Sequence, residues 1–211
     1  MIDIQNVSFA YPRTKNKILS DISMSFSSGE ICALTGTNGC GKTTLTKLMV
    51  GILRPDSGRI LIDNEDIASK NLFEIGQRVG YVFQNPVKQL FCSTVYEEIA
   101  FGLKNRGASG AELDEQVRKY MELFHISHHA EDYPGSLSHG EKQRTVLASV
   151  LSLGTKYLVL DEPTTGLDMR GRHELGDMLT ALKTENGCGM IIVSHERGFI
   201  EKYAGREVIM T

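Results

Sequence analysis

Residues 36–43 read Gly-Thr-Asn-Gly-Cys-Gly-Lys-Thr, which fits the spacing Gly-x-x-x-x-Gly-Lys-Ser/Thr. This spacing suits the holding of phosphate. Glycines let backbone N–H groups converge on anionic oxygens without Cβ clashes, and a following helix start adds partial positive charge and unpaired donors. Lys42 can then reach the terminal phosphates of a nucleotide, and the Thr43 hydroxyl can bind Mg²⁺. A second candidate group is Asp161-Glu162, directly behind the aliphatic run Leu158-Val159-Leu160. Parallel sheets place their ligands at the carboxyl ends of strands. There, Asp161 would help hold Mg²⁺ through a water, and Glu162 would act as general base or polarise an attacking water. A third is Ser138, spaced with Glu141 as a capping box at the start of a helical stretch, which is also an anion site.

These residues need elements to carry them. Glu30 to Thr35 reads as a short buried strand, and Lys42 to Val50 as a helix that Gly51 can end. Ile2 to Phe9 alternates as an exposed-face strand does, and Ile18 to Phe26 repeats the pattern after a loop with Pro12 and several lysines. Arg59 to Ile62 reads as a strand after the turn Pro55-Asp56-Ser57-Gly58, and Val79 to Phe83 is apolar-rich and ends at Gln84. From Val95 to Val150 the periodicity is helical, with Ile99, Leu103, Val117, Met121 and Phe124 on apolar faces. A loop at Gly107–Gly110 precedes a helix over Glu112–Phe124. Tyr157–Leu160, Met190–Val193 and Val208–Met210 are short aliphatic runs suited to buried parallel strands. The pattern predicts an α/β core interrupted by a helical insertion.

The chain has 211 residues, 41% apolar and 23% charged, enough for one domain with a sizeable core. A formal net charge of -3 provides no bulk basic field for nucleic acid. No run approaches the roughly 18 apolar residues of a membrane span, and no signal-peptide pattern is present, so a cytoplasmic chain is expected. Cys32, Cys40, Cys92 and Cys188 form no C-x-x-C pair and read as free thiols. Cys40, inside the phosphate loop, is either an activated thiol or a small filler beside glycine.

With the signature-like run Leu137-Ser138-His139-Gly140-Glu141-Lys142-Gln143, the chain resembles the ATP-binding-cassette (ABC) ATPases over nearly its whole length. Seven motifs occur in the family's order. Tyr11 matches the aromatic residue that stacks on adenine, Gly36–Thr44 the Walker A loop, and Gln84 the glutamine that touches Mg²⁺ and water. Leu137–Gln143 matches the signature, Leu158–Glu162 Walker B, Gly166-Leu167-Asp168 the D-loop, and Ser194-His195 the switch histidine that contacts the γ-phosphate. The resemblance implies a P-loop NTPase (RecA-like) α/β fold with a mostly parallel sheet, an N-terminal antiparallel β subdomain and an inserted α-helical subdomain. It implies one domain over 1–211, with its core at about 1–84 and 151–211 and the helical part at about 85–150. It also implies ATP and Mg²⁺ as ligands. Nucleotide contacts would come from Tyr11, Gly36, Asn38, Gly39, Cys40, Gly41, Lys42, Thr43, Thr44, Ser138, Gly140 and Asp168. Metal contacts would come from Thr43, Gln84 and Asp161, and catalysis from Glu162, His195 and Gln84.

The signature departs from the common Leu-Ser-Gly-Gly-Gln, with His139 for the first glycine and Glu141 for the glutamine. Glu141 keeps the capping geometry and brings a negative charge near a nucleotide. In this family the signature of one subunit closes over ATP held by the other, so the resemblance implies a homo- or heterodimer that ATP joins and hydrolysis separates. The segment Asn85–Phe91 with Thr94–Leu103 is similar to the energy-coupling-factor ATPases of cobalt, nickel and vitamin uptake. There a neighbouring groove receives an integral-membrane subunit, which implies a peripheral place on the cytoplasmic face of the membrane. Val87-Lys88 departs from an often acidic pair. The alternative reading is a soluble ABC ATPase acting on nucleic acid or ribosomes. Sixteen residues follow His195, with room for about one more strand, which suggests either a minimal cassette or a shortened chain.

Overall fold

The protein is described by a computed structural model covering residues 1–12 and 16–210. The expected lysine-bearing loop lies partly outside these residues.

Two sheets organise the described chain. Strands β1 (Ile2–Phe9), β2 (Leu19–Phe26), β4 (Ser57–Ile62) and β5 (Glu65–Asp66) form an antiparallel sheet in the order β2-β1-β4-β5. Strand β1 pairs on both sides, with register shifts near Asn6. It is therefore an inner strand, not one bordering solvent along an edge. The second sheet contains β3 (Ile31–Gly36), β6 (Val79–Val82), β7 (Tyr157–Asp161), β8 (Gly189–Val193) and β9 (Arg206–Met210). Its order is β6-β7-β8-β3-β9, and every pairing in it is parallel.

The inner strands of the parallel sheet carry unbroken aliphatic runs because both faces are covered. On β7, Leu158 and Leu160 enter one core while Tyr157 and Val159 enter the other, and on β8 Met190 and Ile192 alternate in the same way with Ile191 and Val193. One core is shared with α1 (Lys42–Met49) and the antiparallel sheet. The other is shared with α3 (Val95–Asn105), α4 (Gly110–Leu123), α5 (His139–Leu151) and α6 (Met169–Asn186). Ile99, Leu103, Val117, Met121 and Phe124, the residues expected on apolar helix faces, are all buried there.

Helices not assigned from the sequence also form. The short α2 (Leu72–Gly76) starts on a complete Asn71–Glu74 capping box. Helix α6 places Leu175, Leu179 and Leu182 on its buried face at helical spacing. Gly176 is needed because a Cβ there would lie 2.2 Å from the Tyr203 ring on α7 (Arg197–Tyr203). The residues after His195 thus hold a helix as well as a strand. The four cysteines are free thiols, and no helix among the described residues is long and apolar enough to cross a membrane.

Candidate nucleotide site

The parallel order fixes where the chemistry-bearing residues sit. The phosphate loop follows β3, Gln84 lies two residues past β6, Glu162 follows β7 directly, and His195 lies two residues past β8. All four strands point their carboxyl ends the same way, so these residues meet at one end of the sheet. They line a cleft of about 760 Å³ with Tyr11, Asn38, Gly39, Gly41, Lys42, Thr43 and Thr44. Ile18, Thr164, Arg172 and Glu196 also line it and were not singled out in the sequence.

Helix α1 begins without a side-chain cap, since its first flanking residue is Gly41 at φ 99°. A side chain there would meet Leu19 at 2.6 Å and be strained by the left-handed backbone. The first-turn N–H groups are therefore left for a ligand. Lys42 is buried, and its Nζ donates to the carbonyls of Gly36 (2.9 Å) and Thr37 (3.0 Å). The Cys40 Sγ stands 3.9 Å from the same Nζ. Tyr11 packs edge-on against Phe9, and its hydroxyl lies 3.2 Å from Thr44 Oγ1.

Asp161 is 3% exposed, and its Oδ1 is buried with no hydrogen-bond partner. Tyr81 donates to its Oδ2 at 3.3 Å. Burial raises the Asp161 carboxyl above its usual range, against the pull of the Thr43 and Tyr81 hydroxyls and of Lys47 and Lys42. An oxygen-seeking cation would supply the partner that Oδ1 lacks, and Thr43 is exposed beside it. The residues present therefore fit Mg²⁺.

Glu162 has φ 52°, a left-handed conformation that a non-glycine residue adopts only when its surroundings impose it. Its N–H donates to Val193 O at 2.9 Å, and its Oε1 lies 3.3 Å from His195 Nε2. Burial raises the Glu162 carboxyl, opposed first by the neighbouring His195. A carboxylate lifted in this way is better matched to accepting a proton near neutral pH.

Ser138 and Gly140 do not line this cleft. They and Asp168 line a second one, of about 1120 Å³, and Gly166 borders both. Asp168 caps α6 by accepting from Gly171 N–H at 2.7 Å. Gln143 Nε2 and Arg144 Nε are buried near this cleft without hydrogen-bond partners, so donors without acceptors gather around it. His139 Nε2 lies 2.9 Å from Thr165 O, tying the start of α5 to the loop between the clefts.

Glu141 does not direct its charge freely toward the second cleft. Its Oε2 accepts from the Ser138 N–H (2.8 Å) and Oγ–H (2.7 Å), and Oε1 lies 3.1 Å from His129 Nε2. The Ser138 hydroxyl, then its amide, then His129 hold the Glu141 carboxyl down at about 2, from an ordinary 4.5. A depressed carboxyl contributes stability that is complete above its unfolded pKa and is lost as pH falls through the folded value. Acid titration followed by circular dichroism should therefore show wild type losing stability between pH about 4.5 and about 2. Glu141→Gln should show a shallower loss across that window. Equal slopes would remove Glu141 from the account.

Comparison with known proteins agrees with this geometry. The profile of the family described as ABC transporter matches residues 19–165. Two curated relatives carry the name "Putative ABC transporter ATP-binding protein". One, from Clostridium acetobutylicum, is 39% identical, covering 100% of this chain and 89% of its own length. The other, from Pyrococcus horikoshii, is 40% identical, covering 100% and 80%. The solved structure of cbiO1 from Clostridium perfringens, described as part of the ABC transporter complex cbiONQ, superposes with a TM-score of 0.90. It is 34% identical, with 100% of this chain and 84% of that chain covered. An ATP-binding cassette solved as a post-hydrolysis dimer with ADP and Pi also reaches 0.90, covering 100% and 94%, and at 24% identity shares the fold.

Proposed function

Because this chain belongs to the ABC transporter ATP-binding family and is an ABC ATPase, we propose that it is the motor subunit of an energy-coupling-factor-type uptake system for a metal ion or vitamin. The observation that carries the ATPase part is the meeting of Lys42, Thr43, Gln84, Glu162 and His195 at one cleft on the carboxyl ends of four strands. The uptake part is supported by the Asn85–Phe91 segment and by the likeness to cbiO1.

ATP would lie with its adenine against Tyr11 and its phosphates over the loop from Gly36 through Thr44, Asn38, Gly39, Cys40 and Gly41 included. Lys42 would leave its loop carbonyls for the β and γ oxygens. Bound Mg²⁺ would neutralise charge on those oxygens, and Thr43, Gln84 and Asp161 would hold it. Glu162 would take a proton from water as the water oxygen bonds to the γ-phosphorus and the bond to the ADP oxygen breaks. His195, beside Glu162, would hold the γ-phosphate in line.

The second cleft suits the partner's nucleotide. Ser138, Gly140 and Asp168 lie apart from Lys42's cleft and completion would need a second cassette across a two-fold axis. The membrane subunit would dock on the helical part, about 85–150. Glu98 is buried there and accepts from the N–H groups of Phe91 (2.9 Å) and Cys92 (2.8 Å), which ties that loop to the start of α3. Phe91 is 67% exposed and packs edge-on against the half-exposed Phe101, with centroids 4.9 Å apart. An aromatic pair left in water is suited to anchoring an apolar helix. The chain would then sit peripherally on the cytoplasmic face of the membrane.

Mg²⁺-dependent phosphate release by the purified chain tests the motor. Recovery of a hydrophobic subunit with the tagged chain from native membranes tests the partner. Phe91→Glu should abolish that recovery while ATP binding by the isolated chain stays as in wild type. Full recovery with the variant would move the docking surface elsewhere.

A further inference from the structure

Outside both clefts, three side chains stand with their donor atoms converged. His128 and His129 lie in the short helical turn Ser127–His129, and Glu141 lies in the first turn of α5. One ring nitrogen of each histidine and one Glu141 carboxylate oxygen all lie within 4.8 Å of one another. The two rings rest on each other with centroids 4.0 Å apart.

The hydrogen bonding decides what this cluster can hold. Asp132 Oδ2 lies 2.7 Å from His129 Nδ1, so that nitrogen carries a proton and donates it. The remaining nitrogen, Nε2, is a buried atom whose one near neighbour of opposite charge is Glu141 Oε1, 3.1 Å away. Glu141 Oε2 is committed to Ser138. With His129 neutral, two lone pairs would face each other across 3.1 Å, so a second ring proton or a metal ion stands between them. Bonds of about 2.0–2.2 Å from nitrogen and oxygen to one tetrahedral metal put two ligands roughly 3.3–3.5 Å apart, close to this separation. The arrangement also contains the outer carboxylate that metal-bound histidines commonly use, here Asp132 on the far ring nitrogen. His128 is exposed, so its ring is free to turn the remaining distance.

We propose that His128, His129 and Glu141 form a binding site for a divalent transition-metal ion of the Zn²⁺ type. Imidazole nitrogens select such ions over Mg²⁺, which takes oxygen ligands. The ion binds His129 Nε2, Glu141 Oε1 and a ring nitrogen of His128, and water completes its shell. Because Glu141 is also the cap of α5, the ion fixes the carboxylate that holds Ser138. The site is distinct from the Mg²⁺ position at Asp161 and does not depend on the transport reading.

The simpler occupant is a second proton on His129, and metal titration separates the two. The full chain, freed of metal by chelator and without nucleotide or Mg²⁺, is titrated with Co²⁺ as a spectroscopic stand-in for Zn²⁺. The expected result is a visible band that saturates at one ion per chain and is bleached by Zn²⁺. His128→Ala, at an exposed position that leaves the fold intact, and His129→Ala each remove it. Asp132→Asn weakens binding about 10- to 100-fold, and Asp161→Asn leaves the band unchanged. Four results would each overturn the site: no saturable band, a band surviving both histidine substitutions, a band lost in Asp161→Asn, or a thiolate charge-transfer absorption.

Discussion

Glu162→Gln is expected to lower ATP turnover by about 10²- to 10⁴-fold, the usual worth of a positioned general base, while ATP affinity stays within a few-fold of wild type. Glu162 is held by the Val193 carbonyl through its backbone and stands 3.3 Å from His195 through its side chain. It is not among the groups that grip the phosphate loop. Gln keeps the shape and cannot accept the proton. ATP would then remain intact between two cassettes, so light scattering should show the variant as a dimer in ATP and wild type returning to monomer as ATP is consumed. Phosphate release at the wild-type rate would strip Glu162 of its role. Loss of turnover without dimer accumulation would instead mean that a different cassette or the membrane subunit completes the second cleft.

Lys42→Ala should act one step earlier, on binding. A buried ammonium with two loop carbonyls at 2.9 and 3.0 Å is well placed to exchange them for phosphate oxygens. Hydrogen bonds to charged groups are worth about 1.5–3 kcal/mol, which corresponds to roughly a 10- to 150-fold loss of ATP affinity. Calorimetric titration with ATP, alongside circular dichroism to confirm the fold, measures it. An unchanged affinity would show that the helix start and the loop N–H groups bind the phosphates without the lysine. The two variants separate gripping the nucleotide from cutting it.

Much of this was legible because short-range signals and the fold agree. The aliphatic runs at β3, β7 and β8 are continuous because both faces are covered, and their five- to six-residue length suits strands better than helices. The Ser138–Glu141 capping box was visible as a spacing and is present with both of its bonds. Helix α6 was overlooked although Leu175, Met178, Leu179 and Leu182 fall at the i, i+3, i+4, i+7 spacing of an amphipathic helix, whereas the reason for Gly176, Tyr203 on another helix, is not readable locally. Arg172 in the nucleotide cleft had no signal either. Its place comes from a local bond to Leu167 O, five residues before it, and an ion pair with Glu196 after the next strand. The histidine pair at 128 and 129 was not singled out in the sequence, and only the fold lays His129 against Glu141. The Glu141 carboxylate, expected near a nucleotide, is engaged by Ser138 and His129.

The left-handed backbone at Glu162 limits how this cassette can be engineered. Such a conformation costs on the order of 1–3 kcal/mol at a residue with a Cβ, a sizeable part of the margin by which most domains stay folded. A search for heat-resistant variants would be drawn to this position, since glycine there releases the strain. The same change deletes the carboxylate, so stability and turnover pull in opposite directions at one residue. Robustness in this fold is better sought in surface caps and loop lengths.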